Sequence, residues 1–212
     1  MALWDRLNSS AVHQFIGSTV LAVARDRYML RIIAGKYKSL RMAMPADIRP
    51  TKDNVREAIF NVITSHIRDA RVLDLFAGSG VFGVEALSRG AGFAVFVDIS
   101  RPSLNTVRDN IGKLDEDDAK RTRLICKDAK AAISLLHRER ELFDIIFLDP
   151  PYYQNWARKC LKYSNLHDIL TRSGLVIVEH YKRDDLTFKA EGLELTRLLK
   201  YGDTNISIYN KM

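Results

Sequence analysis

Asp149, Pro150, Pro151 and Tyr152 form a short group of residues whose types could carry out chemistry. The prolines fix their φ angles and donate no N–H, so the backbone is stiff and its carbonyls remain acceptors. Tyr152 offers a flat ring for stacking, and Asp149 offers a carboxylate beside those carbonyls. This group suits a planar substrate with an exocyclic amine, because a carboxylate and a carbonyl can accept the two amine hydrogens. The simpler alternative is a turn that ends a strand and exposes a tyrosine.

A second group lies upstream, where Gly78, Gly80 and Gly83 have the spacing G-x-G-x-x-G. These glycines follow an apolar segment and precede a predicted helix over residues 81–89. Glycines let the backbone approach a ligand closely, and the N–H groups of a helix N-terminus can bind an anionic group. A dinucleotide-binding loop has the same pattern, so the glycines alone do not identify the ligand.

Two acidic residues follow the next predicted strands, over residues 93–97 and 123–126. Asp98 stands at the carboxyl end of the first of these, where an acid can accept both hydroxyls of an adenosine ribose. Asp128 follows the second, where it could accept from an adenine amine or cap a helix. Both interpretations of Asp128 stay open from the sequence.

The 212-residue chain has a net charge of +7 and a pI of about 9.4, which favours an acidic partner such as nucleic acid. Residues 31–56 contain seven basic and two acidic residues, a net charge of +5. The basic ones are Arg31, Lys36, Lys38, Arg41, Arg49, Lys52 and Arg56. A phosphate-binding surface is the favoured interpretation, and an ordinary solvated face is the alternative.

The two cysteines and five histidines show neither metal-ligand spacing nor a disulfide framework, which predicts no metal and a reducing cytoplasm. The segment Ala11–Val23 is too short and too polar to span a membrane, and no signal peptide is evident. Met29 is the suspected natural start, so residues 1–28 are predicted to be an extension. A short amphipathic helix is the alternative for that stretch.

The elements needed to position these groups alternate along the chain. Apolar strands over 71–76, 93–97, 123–126, 143–148 and 174–179 are separated by predicted helices, which indicates an α/β fold with a mostly parallel sheet. Further predictions are a small β-hairpin within 31–44, a helix over 52–66 capped by Thr51, and a charged turn over 114–120. Later predictions are a helical stretch over 166–170 and a closing strand over 204–209. Residues 186–189 and 195–199 are predicted to be two strands, or one strand and the segment that leads into it.

The order of these features resembles the RsmD-type methyltransferases, which methylate the exocyclic N2 of a guanine in bacterial small-subunit (16S) ribosomal RNA. The matching residues are Arg31–Lys36, Arg49-Pro50-Thr51, Val55–Asn61, Val72–Gly80, Glu85–Ala91, Asp149-Pro150-Pro151-Tyr152 and Val178-Glu179. The block from Arg49 to Asn61 is the most specific, whereas the glycine loop marks only the superfamily. The resemblance extends from Met29 to the C-terminus, and the last third matches only loosely.

The resemblance implies one Rossmann-like class I methyltransferase domain over 51–212, with a seven-stranded, mostly parallel sheet and an antiparallel last strand. A small basic N-terminal β-hairpin and connector would occupy 29–50. The implied cofactor is S-adenosylmethionine, which yields S-adenosylhomocysteine, with Asp74, Gly78 and Gly80 at its methionine end, Asp98 at the ribose and Asp128 at the adenine. The full cofactor-binding set is Asp74, Phe76, Ala77, Gly78, Gly80, Asp98, Ile99, Asp128 and Ala129.

The implied catalytic residues are Asp149, Pro150, Pro151 and Tyr152. The residues predicted to contact RNA are Arg31, Lys36, Lys38, Arg49, Thr51 and Arg56. The expected partner is 16S ribosomal RNA within the small ribosomal subunit, and the expected state is a cytoplasmic monomer away from membranes.

Four alternatives remain from the sequence. A DNA adenine-N6 methyltransferase has similar chemistry, but the chain lacks an evident target-recognition domain. A glutamine-N5 protein methyltransferase typically carries Asn where Asp149 stands. A nicotinamide-dependent oxidoreductase would leave Asp149 to Tyr152 unexplained, and an RNA-binding protein without catalysis would not need the acids.

Overall fold

The computed structural model describes residues 30–45, 51–151, 155–186, 188 and 190–212. Predictions for residues 1–28, Met29, Arg49 and Tyr152 therefore lie outside the described residues. The helices are α1 (Asp53–Val62), α2 (Thr64–Ile67), α3 (Val81–Ser88), α4 (Arg101–Ile111), α5 (Glu116–Lys120), α6 (Ala129–Arg138) and α7 (Trp156–Leu161). The strands are β1 (Arg71–Asp74), β2 (Phe93–Asp98), β3 (Thr122–Cys126), β4 (Phe143–Leu148), β5 (Leu170–Tyr181), β6 (Leu193–Tyr201) and β7 (Thr204–Lys211).

The seven strands within the described part of the chain form one sheet in the order β3-β2-β1-β4-β5-β7-β6. Strands β1 to β5 pair in parallel, and β7 runs antiparallel to both of its neighbours, β5 and β6. This topology confirms the predicted mostly parallel sheet with an antiparallel last strand. The strand order reverses between β1 and β4, and ligands of open α/β sheets bind at the carboxyl ends of the strands at such a point.

Each face of the sheet has its own apolar core. One core joins the sheet to α1, α3 and α4, and it includes Leu30, Ile32 and Met42 from the start of the described chain. The other joins the opposite face to α6 and α7, and it includes Leu186 from the loop after β5. Central strands such as β4, with the sequence FDIIFL, are nearly continuous apolar runs because both of their faces are covered.

Residues 30–45, which we call the N-terminal segment, fold back on themselves as the predicted hairpin would. The Met42 N–H donates to the Leu30 carbonyl and the Ile32 N–H donates to the Leu40 carbonyl, but only one isolated bridge, between Arg31 and Arg41, forms. At the turn, Gly35 has φ +85°, and a Cβ there would lie 1.9 Å from the carbonyl oxygen of Ser88. Only glycine fits this close approach to the end of α3.

Several predicted element boundaries are wrong. Helix α1 begins after Lys52 rather than Thr51, and Lys52 makes no side-chain capping bond. The predicted turn over 114–120 contains α5, because the Asp115 side chain accepts from the Asp118 N–H and three acidic residues fill the first turn.

The last third of the chain also departs from the prediction. The stretch over 166–170 forms turns rather than helix, and Leu170 already begins β5. Leu186 and Phe188 belong to no strand, whereas β6 covers residues 195–199, so of the two predicted alternatives the strand with its approach is the one that fits. Short apolar runs allow helix, strand or buried loop, and here packing into the core decided between them.

Candidate active site

Asp149 follows the last residue of β4 and stands at the carboxyl edge of the sheet, beside the end of β1. The Thr51 hydroxyl donates to Asp149 Oδ2 over 3.0 Å. Burial of the carboxyl raises the pKa of Asp149 to about 6, and the Thr51 hydroxyl acts in the opposite direction. Pro150 is buried behind Asp149 and Pro151 is exposed.

The contact between Thr51 and Asp149 was not predicted from the sequence. Thr51 was predicted to cap α1 and contact RNA, but it is buried to 9% exposure and bonds to a carboxylate 98 residues later. This placement contradicts the predicted helix cap. The match of Arg49-Pro50-Thr51 to the family pattern indicated that Thr51 matters, but nothing in its sequence neighbourhood pointed to Asp149.

The residues that lie around Asp149 include Phe82, Phe147 and Glu179. Glu179 lies on β5, is 5% exposed, and had been noted only as part of the family pattern, without a role. Three stacked or tilted phenylalanines, Phe60, Phe82 and Phe147, form the apolar side of this region, with ring centroids 5.0–6.4 Å apart. Their apolar surface accounts for the poor solvation of the nearby carboxyls.

Asp74 ends β1 and is only 1% exposed. Its Oδ2 accepts from the Gly83 N–H over 3.2 Å, whereas its Oδ1 has no hydrogen-bond partner among the described residues. Burial, with smaller contributions from the Asp149 and Asp98 charges, raises the pKa of Asp74 to about 7. A buried acceptor without a partner fits a ligand that brings a donor, such as the ammonium group of an amino acid.

Asp98 connects the loops that follow β1 and β2. Its Oδ2 accepts from the Gly78 N–H over 2.9 Å, and its Oδ1 accepts from the Ser100 N–H over 2.8 Å. Gly78 and Gly80 have φ angles of 53° and 76°, which lie in the left-handed region. Asp98 therefore holds the glycine loop in the conformation that exposes its backbone at the edge of the sheet.

The remaining residues predicted to bind the cofactor surround the same edge. Phe76 is half-buried and Ala77 and Ala129 are buried, whereas the apolar side chain of Ile99 is 73% exposed. Asp128 is exposed and caps α6, since its Oδ1 accepts from the Ala131 N–H over 2.9 Å. The cap interpretation of Asp128 is thus confirmed, and its contact with adenine stays a prediction.

The residues predicted to contact RNA separate into two groups. Arg31 and Lys38 are exposed. Lys36 forms ion pairs with Asp115 and Asp118, so its charge is largely compensated within the protein. Arg56 is fully buried, and its guanidinium donates to the Arg31 carbonyl and to Asp53. This burial argues against the predicted phosphate contact of Arg56 and gives it a structural role.

The family described as "Conserved hypothetical protein 95" matches residues 30–210. The Bacillus subtilis protein named "Putative rRNA methyltransferase YlbH" is 36% identical over 184 residues, which cover 86% of this chain and 99% of that protein. "Ribosomal RNA small subunit methyltransferase D" of Escherichia coli K12 is 29% identical over 184 residues, which cover 86% of this chain and 90% of that protein.

A solved structure titled "Putative methyltransferase yhhF from Escherichia coli" superposes with a TM-score of 0.75 at 29% identity. The superposition covers 86% of this chain and 98% of that chain. This likeness confirms the predicted class I methyltransferase fold. Separately, no helix in the described part of the chain is long and apolar enough to cross a membrane.

Proposed function

Because this chain belongs to the RsmD-type methyltransferase family, we propose that it methylates the exocyclic N2 of a guanine in 16S ribosomal RNA, with S-adenosylmethionine as the donor. The observation that carries the proposal is the position of Asp149. Its carboxylate stands at the carboxyl end of β4, beside Asp74 and the glycine loop, and is followed by the buried Pro150. The acceptor for an amine and the candidate cofactor site therefore share one edge of the sheet.

The cofactor side of the site is proposed to hold S-adenosylmethionine through Asp74, Asp98 and the backbone of Gly78 and Gly80. The unpartnered Asp74 Oδ1 fits the ammonium group of the methionine end. When bound, this cofactor supplies an activated methyl group on a positively charged sulfur. Asp74 binds in its ionised form, so its proton is released when the ammonium group arrives.

The protein's chemical task is to position the amine and make its nitrogen a better nucleophile. In the proposed complex, Asp149 and the Pro150 carbonyl accept the two N2 hydrogens and favour a more tetrahedral nitrogen. The N–C bond forms as the S–C bond breaks, and the surplus proton of the nitrogen passes to Asp149 or to water. A charge-assisted hydrogen bond of this kind contributes about 1.5–3 kcal/mol, and correct positioning contributes as much as about 7–11 kcal/mol.

The guanine must be accessible to reach this edge of the sheet. Unstacking a paired base costs a few kcal/mol, so an unpaired loop nucleotide is the expected target. Tyr152 is proposed to stack on the base, which contributes about 1–3 kcal/mol. Arg31 and Lys38, which are exposed, are proposed to contact RNA phosphates as part of the N-terminal segment. The small ribosomal subunit is the proposed partner of a monomeric enzyme.

The test is methyl transfer from labelled S-adenosylmethionine to three acceptors: small ribosomal subunits without the modification, the same RNA stripped of protein, and duplex DNA. Label recovered from ribosomal RNA as N2-methylguanine supports the proposal. Label recovered only from DNA, as N6-methyladenine, would overturn the substrate while keeping the reaction type. Asp149→Ala should abolish transfer and leave cofactor affinity nearly unchanged, and strong residual transfer in this variant would contradict the role of Asp149.

A further inference from the structure

A cavity of about 240 Å³ lies between the start of α7 and the loop that follows β5. Its walls are Asn155, Ala157 and Arg158 on one side, and Arg183, Asp184, Asp185 and Leu186 on the other. The two walls follow β4 and β5, which are parallel neighbours, so the cavity opens at the same edge of the sheet as Asp149. None of these residues belongs to the predicted catalytic, cofactor-binding or RNA-binding sets.

The two arginines of the cavity, Arg158 and Arg183, are exposed. Within the described ranges of the chain, neither Arg158 nor Arg183 forms a salt bridge. Each guanidinium instead lies over an aromatic ring: Arg158 is 4.9 Å from the centroid of Phe188, and Arg183 is 6.0 Å from that of Tyr181. Such contacts orient a guanidinium without neutralising it, so both donors stay available to an anion.

We propose that this cavity binds a nucleotide of the RNA that neighbours the methylated guanosine, which rests on the function proposed above. The arginines bind its phosphate, and the carboxylate of Asp184 faces the donor groups of its ribose or base. A lining with both charges suits a nucleotide better than a simple polyanion, because the carboxylates at the cavity repel an unaccompanied anion.

The surface beside the cavity continues the same pattern of cations and aromatic rings. The ammonium groups of Lys159 and Lys162 lie 4.5 Å and 5.3 Å from the ring centroids of Trp156 and Phe188. Both lysines are exposed and belong to α7 or its C-cap. Positively charged surfaces interleaved with aromatic rings are typical of proteins that bind single-stranded nucleic acid. The RNA therefore has a path away from Asp149 that passes through the cavity.

The experiment compares Arg158→Gln/Arg183→Gln with a matched control, Arg172→Gln. Arg172 is an exposed arginine near the start of β5, at the end opposite Arg183. The readouts are KM and kcat for methylation of ribosomal RNA and the affinity for a single-stranded RNA of about 12 nucleotides at several salt concentrations. Thermal unfolding and the affinity for S-adenosylhomocysteine verify that fold and cofactor site are intact. Single Arg158→Lys and Arg183→Lys variants retain the charge if the double variant proves unstable.

The double variant should raise KM for RNA about tenfold, with kcat within about twofold of the unchanged protein. The slope of log affinity against log salt should become shallower by about 0.7 for each arginine removed. The lysine variants should keep that slope and lose only part of the affinity. A double variant that matches Arg172→Gln in KM and slope would overturn the cavity assignment. If the unchanged protein binds RNA through these arginines but methylates another acceptor, the proposed function fails; nucleotide binding by the cavity then stands, but its position beside a methylated guanosine does not.

Discussion

At the scale of single residues, the hydrogen bond from Thr51 to Asp149 connects the start of the methyltransferase domain to its proposed catalytic carboxylate. The surrounding carboxyls are Asp74 on β1, Asp98 on β2 and Glu179 on β5. Thr51 lowers the pKa of Asp149 against the opposing effect of burial. It thus favours the ionised form that accepts from an amine, and we regard it as a positioning residue.

Thr51→Val should therefore shift the acidic limb of the pH–rate profile to higher pH. The variant keeps the shape of the side chain and removes the donor, so Asp149 titrates above its value of about 6. Because the reaction needs ionised Asp149, the pH at which activity rises should increase together with the pKa of Asp149. The measurement is kcat for methyl transfer between pH 5 and 9, with Thr51→Ser as the control that keeps the hydroxyl. Equal profiles for the valine and serine variants would refute this role.

Asp74→Asn should stabilise the protein without cofactor at alkaline pH. The pKa of Asp74 is raised from 3.8 to about 7 by burial, so its contribution to folding is present at acidic pH and is lost as pH rises towards 7. The free energy of unfolding of the variant relative to the unchanged protein should thus increase by about 3 kcal/mol between pH 5 and pH 8. Urea unfolding at both values measures the difference.

Asp109→Asn is the matched control for Asp74→Asn, because Asp109 is an exposed aspartate of α4. It should change the free energy of unfolding by less than about 0.5 kcal/mol at either pH. The Asp74→Asn variant should also lose affinity for S-adenosylhomocysteine, measured by calorimetry. A stability difference that does not vary with pH would mean that Asp74 titrates as an ordinary carboxyl.

Some residues of the candidate site could be predicted from the sequence, and some of their contacts could not. The acids at the ends of β1, β2 and β4 were predictable, because parallel strands bring their carboxyl ends to one edge. The partner of Asp149 was not, since Thr51 is 98 residues away and its contact depends on how the chain folds. The burial of Arg56 was not predictable for a similar reason. Its guanidinium donates to the carbonyl of Arg31 in the N-terminal segment, a contact that forms only in the folded chain.

At the scale of elements, α3 binds the N-terminal segment through Ser88 and through the buried carboxylate of Glu85. Glu85 is fully buried and accepts from the Ile33 and Ala34 N–H groups over 2.7 Å and 3.0 Å. It also pairs with Arg89, whose guanidinium lies over the ring of Phe60. Glu85 is therefore one of the main polar anchors of the segment that carries the proposed RNA contacts Arg31 and Lys38.

Glu85→Gln should destabilise the protein by about 3–5 kcal/mol, because it removes the negative charge that compensates buried or half-buried arginines. Glu57→Gln is the control, since Glu57 is an exposed glutamate of α1. Chemical unfolding monitored by circular dichroism measures both variants. A loss below about 1 kcal/mol for Glu85→Gln would show that the N-terminal segment is held by its apolar contacts instead.

Elements were predictable where a local rule decides the structure. The strand over 143–148 was predicted at its observed bounds, because an apolar run ends at Asp149 and Pro150. The prediction of a helix over 166–170 was wrong. Its apolar residues Leu166, Ile169 and Leu170 would be buried in a helix or in turns alike, and here they are buried in turns that lead into β5. Asp115 caps α5, and an aspartate followed by three acidic residues is a recognisable start of a helix. The high charge of the segment led instead to the prediction of a turn.

At the scale of the whole molecule, two basic surfaces approach Asp149 from opposite faces of the sheet. The N-terminal segment packs on the core that contains Phe60 and Phe82, and α7 with Leu186 packs on the other core. The first surface is one continuous stretch of sequence, so charge counting found it. The second combines α7 with the loop over 182–188, and its charges become neighbours only in the folded chain.

If both surfaces hold the same RNA, their contributions should add. Arg31→Gln/Lys38→Gln removes two exposed cations from the first surface, and Arg158→Gln/Arg183→Gln removes two from the second. Losses of binding free energy at separate sites without shared partners add within about 0.5 kcal/mol. The variant with all four changes should thus show the sum of both affinity losses and both reductions of the salt slope.

Anisotropy titrations of labelled ribosomal RNA at several salt concentrations measure these sums. Suppose that the variant with all four changes binds RNA as tightly as the double variant with the lower affinity. The two surfaces would then not bind one RNA together. Additive losses would instead mean that the RNA crosses the carboxyl edge of the sheet, over Asp149, from one face to the other. In that geometry the target guanine is held on both sides, which allows the enzyme to select its nucleotide by the shape of the RNA around it.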